Sequence, residues 1–186
     1  STRIDFDGLG REYLRGAHEA AHGSPCFIDK LPVNFLYIGI IARALPQARI
    51  VHLVRDPLDA AWAIHKTLFA SAYHWSCDLD QVARYIIAYN DLMRHWHAVL
   101  PGRIVDVRYE DLVRDPDLQA QRLLDRCGLK GAAGVIVPER PVVTASAAQV
   151  RQPIHSRSVG RWHDHADLLA GVAARLRWDH PAEAAP

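Results

Sequence analysis

The sequence has 186 residues, a length typical of one domain. Hydrophobic residues make up 49% and charged residues 23%, which excludes a disordered, collagen-like or coiled-coil chain. The 22 basic and 21 acidic side chains leave a net charge of +1, whereas proteins held to bulk nucleic acid or to an anionic membrane carry a clear basic excess. We therefore expect neither partner, and we expect any bound anion to be held by a local group of side chains.

Targeting and redox features predict a cytoplasmic protein. No apolar run reaches membrane-spanning length, and the first residues lack a signal-peptide pattern. Cys26, Cys77 and Cys127 are too few and too scattered for a disulfide framework or a zinc knuckle, so we expect reduced thiols. Residue 1 is Ser rather than Met, which indicates that the chain begins inside a longer protein.

Apolar periodicity and turn residues predict alternating strands and helices. In chain order the predicted elements are helix 8–22, strand 26–28, helix 32–45, strand 49–54, helix 57–69, helix 79–100, strand 103–109, helix 116–127 and helix 164–177. Residues 130–161 lack a clear period, and a loop of that length inside a compact domain is usually functional or disordered. The order of elements, with its short connections, predicts parallel strands in an α/β fold.

Ligands of parallel α/β sheets bind beyond the carboxyl ends of the strands. Lys30, Arg55 and Tyr109 lie at the ends of the three predicted strands, and Arg55 also precedes a helix N-terminus, whose free N–H groups attract anions. Together they predict a pocket for a phosphate or sulfate group. The alternative is that Asp56 and Asp59 cap this helix and pair with Arg55.

The long loop adds further groups that match phosphate or sulfate oxygens. Its arginines and hydroxyls are Arg140, Arg151, Arg157, Arg161, Thr144, Ser146, Ser156 and Ser158. A solvated arginine-rich loop is the alternative interpretation.

Four short motifs follow one another along the chain. DKLP occupies residues 29–32, VRDP residues 54–57 and RYEDL residues 108–112, and an SxxQV…RW pattern runs from Ser146 to Trp162. This ordered set resembles the sulfotransferase superfamily, and most closely the bacterial relatives of tyrosylprotein sulfotransferases, over about residues 26–163.

The resemblance implies a P-loop-NTPase-like, three-layer α/β fold with a parallel sheet. The family's first strand and its PRSGT-type 5′-phosphosulfate loop are missing from this chain, so residues 1–178 would be a partial sulfotransferase domain and residues 179–186 a tail. The implied activity is transfer of a sulfuryl group from 3′-phosphoadenosine-5′-phosphosulfate (PAPS) to a hydroxyl acceptor, which could be a protein tyrosine, a carbohydrate or a small molecule. No metal is expected.

The motifs carry the family's functional residues onto this sequence. Lys30 and Ser146 would stabilise the transition state, because sulfuryl transfer, like phosphoryl transfer, spreads negative charge over oxygens that fixed donors can bind. The implied nucleotide-binding residues are Arg55 (on the 3′-phosphate), Tyr109, Ser146, Gln149, Val150, Arg151 and Arg161.

Two departures from the family pattern leave alternatives open. The family's catalytic glutamate lies upstream of the matched motifs, and no motif places it at Glu12 or Glu19. A second 3′-phosphate ligand, a serine eight residues after the arginine, is Ala63 here, and Thr67 is a candidate substitute one turn later. The chain is therefore either part of an active enzyme, inactive by itself, or a truncated nucleotide-binding homologue without catalysis. A homodimer and a helical-repeat region upstream are also open.

His18 to His22 spells H-E-x-x-H, the pattern of zinc hydrolases, which defines a third alternative. On a helix the two histidines would share one face and could bind zinc, with Glu19 as base. A chance match among 11 histidines is the competing interpretation.

Overall fold

The computed structural model describes residues 4–22, 24, 26–67, 69, 73–130 and 154–176. The helices and strands of these residues are α1 (Phe6–Ala20), α2 (Ile38–Ala44), β1 (Ile50–Val54), α3 (Pro57–Lys66), α4 (Leu79–Val99), β2 (Ile104–Arg108), α5 (Tyr109–Arg114), α6 (Pro116–Cys127) and α7 (Ala166–Leu176). Short 3-10 helices cover Pro32–Tyr37, His74–Cys77 and Arg161–His165. Among the described helices, none combines the length and the apolar character that a membrane span requires.

The fold is α/β, mostly helical, with β1 and β2 paired as a small parallel sheet. Both strands were predicted at these places, because β-branched residues dominate RIVHLV and RIVDVRY. The strand predicted at residues 26–28 is wrong: these residues belong to no regular secondary structure, and Ile28 is 91% exposed. An apolar run becomes a strand only where a neighbouring strand takes up its backbone N–H and C=O groups.

The described residues among 4–50 and 92–105 form one compact unit. Gly10 on α1 lies against the backbone of Ala44 at the end of α2, where a Cβ would come within 2.0 Å of the Ala44 carbonyl oxygen. Gly39 lies similarly close to the ring of Trp96, and the Trp96 indole N–H donates to the Phe35 carbonyl over 2.8 Å. Glycine at these two positions is therefore a packing requirement.

The described residues among 51–91 and 106–176 form the second compact unit. Its core joins the start of α3, the first half of α4 and the last helix, α7. The buried residues of this core are Leu58, Ala61, Val82, Ala83, Ile86, Leu169 and Val172. The apolar stripe that predicted α4 is thus confirmed as a core face.

Helix boundaries agree with the capping residues that the sequence offers. The Asp56 side chain accepts from the backbone N–H groups of Leu58 and Asp59, so Asp56 caps α3 as predicted. Gly128 ends α6 in the left-handed conformation with φ 70°, which other residues adopt at a cost. The helix predicted from Pro32 begins instead as a 3-10 helix and becomes regular only at Ile38.

We expect truncation of Leu169 to Ala to lower the free energy of unfolding by about 3 kcal/mol, because the side chain is fully buried between helices and would leave a cavity. The neighbouring Leu168 is 51% exposed and provides the matched control. Urea unfolding followed by circular dichroism measures both variants. Equal losses for the two leucines would contradict the described core.

Candidate functional site

Arg55 follows β1 directly and leads into α3, at the place where the sequence predicts an anion site. Its Nη2 donates to the carbonyl oxygen of Ser158 over 2.6 Å, and its guanidinium carbon lies 4.9 Å from the centre of the Tyr109 ring. The Nε of the same guanidinium is buried and has no hydrogen-bond partner among the described residues. A buried donor without an acceptor is costly, so this N–H is available for an anionic oxygen.

The N-terminus of α3 is not the free anion site that the sequence pattern predicts. Asp56 occupies the N–H groups of Leu58 and Asp59, and the N–H of Asp56 itself donates to Glu110 Oε1 over 2.8 Å. These two carboxylates already compensate the positive end of the helix dipole. A phosphate would therefore be bound by the Arg55 guanidinium, whose planar fork fits phosphate oxygens, and not by the helix end.

Asp59 does not pair with Arg55, which was one of the alternatives at the sequence level. Its buried carboxylate accepts two backbone N–H groups from the far end of the long loop: Gly160 to Oδ2 over 2.6 Å, and Trp162 to Oδ1 over 3.0 Å. Arg161 lies between these two donors, half exposed, with its Nη1 3.4 Å from Asp164 Oδ2. The structure therefore brings the residues around Arg161 to the start of α3.

Part of the predicted site belongs to residues that the structure does not describe. Ser146, Gln149, Val150 and Arg151 lie outside the described residues, as do Arg140 and Thr144. Their predicted roles stay predictions.

The position of the missing serine offers no replacement hydroxyl donor. Ala63 lies in the second half of α3, and the Thr67 hydroxyl donates to the Ala63 carbonyl oxygen over 2.6 Å. Thr67 therefore uses its proton within the helix, which argues against the substitution considered at the sequence level.

Lys30 belongs to the first compact unit and is exposed. It borders an open groove of about 620 Å³ between α1 and residues 27–30. Small residues of α1, namely Gly16, Ala17 and Ala20, line one side of the groove, and Phe27 and Ile28 line the other. The groove therefore combines apolar walls with an ammonium group.

Two polar residues of this groove, Tyr13 and Asp29, are hydrogen-bonded to each other. The Tyr13 hydroxyl donates to Asp29 Oδ2 over 2.5 Å, and the Asn34 side-chain amide donates to the other oxygen over 3.4 Å. Burial, followed by the hydrogen bond and the negative charge of Asp29, raises the pKa of Tyr13 from 10.0 to about 12.

This shift predicts how the groove responds to alkaline pH. Because the pKa of Tyr13 is raised in the folded state, the Tyr13–Asp29 bond contributes stability below pH 10 that is lost as the pH rises towards 12. Burial raises the pKa of Tyr89 to about 12 as well, so the phenolate absorbance of the wild type must be compared with that of Tyr13→Phe. The difference between these two absorbance curves reports Tyr13 and should titrate near pH 12. In Asp29→Asn the pKa of Tyr13 should be lower. A difference that titrates near 10 in the wild type would contradict the described bond.

The H-E-x-x-H pattern does not have the helical geometry of a zinc site. α1 ends at Ala20, and His22 lies beyond it with a left-handed φ of 50°. His18 is packed edge-on against Phe27, and Glu19 lies 3.7 Å from Arg15. The two histidines are four residues apart in the sequence, but they do not lie on one continuous helix, as the motif requires.

A sequence profile of the sulfotransferase family matches residues 2–132. The chain belongs to the sulfotransferase family. The match contains Lys30, Arg55 and Tyr109 and ends before the loop that carries Ser146 and Arg161. The family membership predicted from the four motifs is thus confirmed, while the finer relation to tyrosylprotein sulfotransferases stays a prediction.

Curated relatives of this family member come from bacteria. An uncharacterized protein of Aquifex aeolicus is 34% identical over 185 residues, which is 94% of the chain and 24% of the relative. The omega-hydroxy-beta-dihydromenaquinone-9 sulfotransferases of Mycobacterium bovis and Mycobacterium tuberculosis are 32% identical over 110 residues, 55% of the chain and 28% of each relative. The chain spans about a quarter of the length of the curated relatives it matches.

Proposed function

We propose that this sulfotransferase family member belongs to an enzyme that transfers a sulfuryl group from PAPS to a hydroxyl acceptor. The observation that carries the proposal is the Arg55 guanidinium, which has a buried donor without a partner beside the Tyr109 ring. It lies at the carboxyl end of a parallel strand, where ligands of α/β sheets bind.

The nucleotide roles follow from the donors that these residues offer. Arg55 binds the 3′-phosphate through its fork, and Tyr109 lines the same site with its ring against the guanidinium. Arg161 contacts the nucleotide from the segment that reaches α3. Ser146, Gln149, Val150 and Arg151 complete the nucleotide-binding set.

Lys30 and Ser146 act on the charge that develops during transfer. PAPS supplies an activated sulfuryl group on a phosphosulfate anhydride. Lys30 offers an exposed ammonium that no described side chain engages, and Ser146 offers a hydroxyl donor. Such donors stabilise charge that is larger in the transition state than in the ground state.

The domain that we propose is the P-loop-NTPase-like three-layer fold, with residues 1–178 as its downstream part. Its 5′-phosphosulfate loop and its catalytic base would be contributed by residues outside this chain. Val51 and Leu53 of β1 are 44% and 54% exposed, whereas both faces of a parallel sheet are normally covered, so this face would be covered by residues other than those described. We further propose that the enzyme works in the cytoplasm without a metal.

The acceptor is a hydroxyl compound whose class we leave among protein tyrosine, carbohydrate and small molecule. The mycobacterial relatives are named for an omega-hydroxy menaquinone, which is a small molecule with a hydroxyl group. The apolar walls beside Lys30 favour an acceptor of that apolar kind.

A nucleotide-binding homologue without catalysis is the second candidate. It is favoured by Ala63, which cannot supply the family's serine hydroxyl, and by Thr67, whose proton is already donated within α3. This candidate predicts that the nucleotide binds and that no sulfuryl group is transferred.

Incubation of the full-length protein that contains this chain with sulfur-labelled PAPS and a panel of phenols, sugars and long-chain alcohols separates the two candidates. We expect the label to appear in one acceptor class, with one adenosine 3′,5′-bisphosphate (PAP) formed for each label transferred. Binding of PAPS without labelling of any acceptor would favour the non-catalytic homologue and contradict the proposed enzyme.

A further inference from the structure

Asp59 is the one charged side chain that is fully buried among the described residues, at 1% exposure. A carboxylate removed from water is costly unless its oxygens accept hydrogen bonds. Both oxygens of Asp59 do so, and both donors are backbone N–H groups about 100 residues further along the chain. The Asp59 side chain is needed neither to cap α3, which Asp56 does, nor to neutralise Arg55.

The segment bound by Asp59 has the backbone conformation that this contact requires. Gly160 has a left-handed φ of 69° and precedes the 3-10 helix Arg161–His165. In this turn the backbone N–H groups of Gly160 and Trp162 both donate to the Asp59 carboxylate. Turns of this kind form a concave site in which backbone N–H groups bind an anion.

A second contact holds the same segment to the same end of α3. Arg55 donates to the carbonyl oxygen of Ser158, two residues before Gly160. His165, at the end of the 3-10 helix, stacks on the Trp62 ring with 3.7 Å between ring centres. The segment 158–162 is therefore fixed to α3 beside the guanidinium that is proposed to bind the 3′-phosphate.

We propose that Asp59 is a positioning residue for nucleotide binding: its carboxylate holds the segment 158–162, so that Arg55 and Arg161 are ordered before the nucleotide arrives. The inference rests on the proposed function. It adds that nucleotide affinity depends on a buried carboxylate that does not touch the nucleotide, because a site that is already ordered loses less conformational entropy on binding.

The test is calorimetric titration of Asp59→Asn with PAP. Asn has the same size, but its amide nitrogen is a donor and cannot accept one of the two N–H groups, so the segment is released. We expect PAP to bind about tenfold more weakly. Trypsin should also cleave after Arg157 and Arg161 faster than in the wild type, because cleavage follows local opening.

Two controls separate positioning from general destabilisation. Asp80→Asn makes the same chemical change in a carboxylate that pairs with Arg84 and Arg175, and should leave PAP affinity unchanged. Met93→Ala removes a buried side chain of α4 that lies outside the core against which Trp162 packs, so the folded fraction should bind PAP as the wild type does.

Gly160→Ala provides a second variant in case Asp59→Asn fails to fold. It keeps Asp59 but places a Cβ on a backbone with φ 69°, which strains the turn. We expect weaker PAP binding here as well. Wild-type affinity in every folded variant of Asp59 and Gly160 would overturn the role of Asp59. A wild type that does not bind PAP would instead overturn the proposed function on which it rests.

Discussion

Replacement of Arg55 by Ala is expected to weaken PAP binding about a hundredfold, because charge-assisted hydrogen bonds to a phosphate contribute about 1.5–3 kcal/mol each. Arg55 has the buried Nε that lacks a partner and the ring of Tyr109 against its guanidinium. Arg55→Lys keeps the positive charge and loses the planar fork, so its affinity should lie between those of the wild type and Arg55→Ala.

The matched control for Arg55 is Arg84→Ala. Arg84 is an exposed arginine of α4 whose Nε donates to Asp80 over 2.9 Å. Exposed ion pairs contribute little to stability, and this arginine has no place in the proposed site, so PAP affinity should not change. If Arg55→Ala and Arg84→Ala bind PAP equally well, the 3′-phosphate is not bound by Arg55.

Replacement of Lys30 by Ala should lower kcat by a factor of about 10²–10³ and change the Kd of PAP by less than about twofold. Loss of one fixed donor to the transition-state charge has an effect of this size on turnover. An unequal effect on kcat and Kd is expected, because the proposed contact is made mainly in the transition state. Rates are measured with the acceptor class labelled in the PAPS assay.

Lys66→Ala controls for the loss of a lysine elsewhere. Lys66 is exposed at the end of α3, with its amine 5.8 Å from the centre of the Trp62 ring. The kcat of Lys66→Ala should equal that of the wild type. A Lys30→Ala protein that turns over normally would remove Lys30 from the chemistry while leaving the nucleotide site intact.

The sequence predicted the elements that local chemistry determines. The β-branched runs became β1 and β2, the apolar stripe of residues 79–100 became a core helix, and Asp56 and Gly128 mark helix ends where capping rules place them. The short apolar run at residues 26–28 was misjudged, because strand formation depends on a partner strand that composition does not reveal.

The contacts around Arg55 could be predicted only in part, and the roles of the site residues stay predictions. Arg55 and Tyr109 were both named from their positions at strand ends, and the structure brings the Arg55 guanidinium to the Tyr109 ring. The role of Asp59 could not be read from its neighbours, because its partners are backbone N–H groups about 100 residues away. The contact of Glu110 with the Asp56 N–H was missed as well, although the RYEDL motif contained this residue. Long-range contacts of this kind are decided by the fold and not by local pattern.

The central claim is that the Arg55 site recognises a nucleotide by its 3′-phosphate. Calorimetric titration of the wild-type protein with PAP and with adenosine 5′-monophosphate tests it directly, because the two nucleotides differ only in that phosphate. We predict that PAP binds at least about tenfold more tightly than the monophosphate, a difference of about 1.4 kcal/mol. Equal affinities for the two nucleotides would contradict a 3′-phosphate site and with it the proposed use of PAPS.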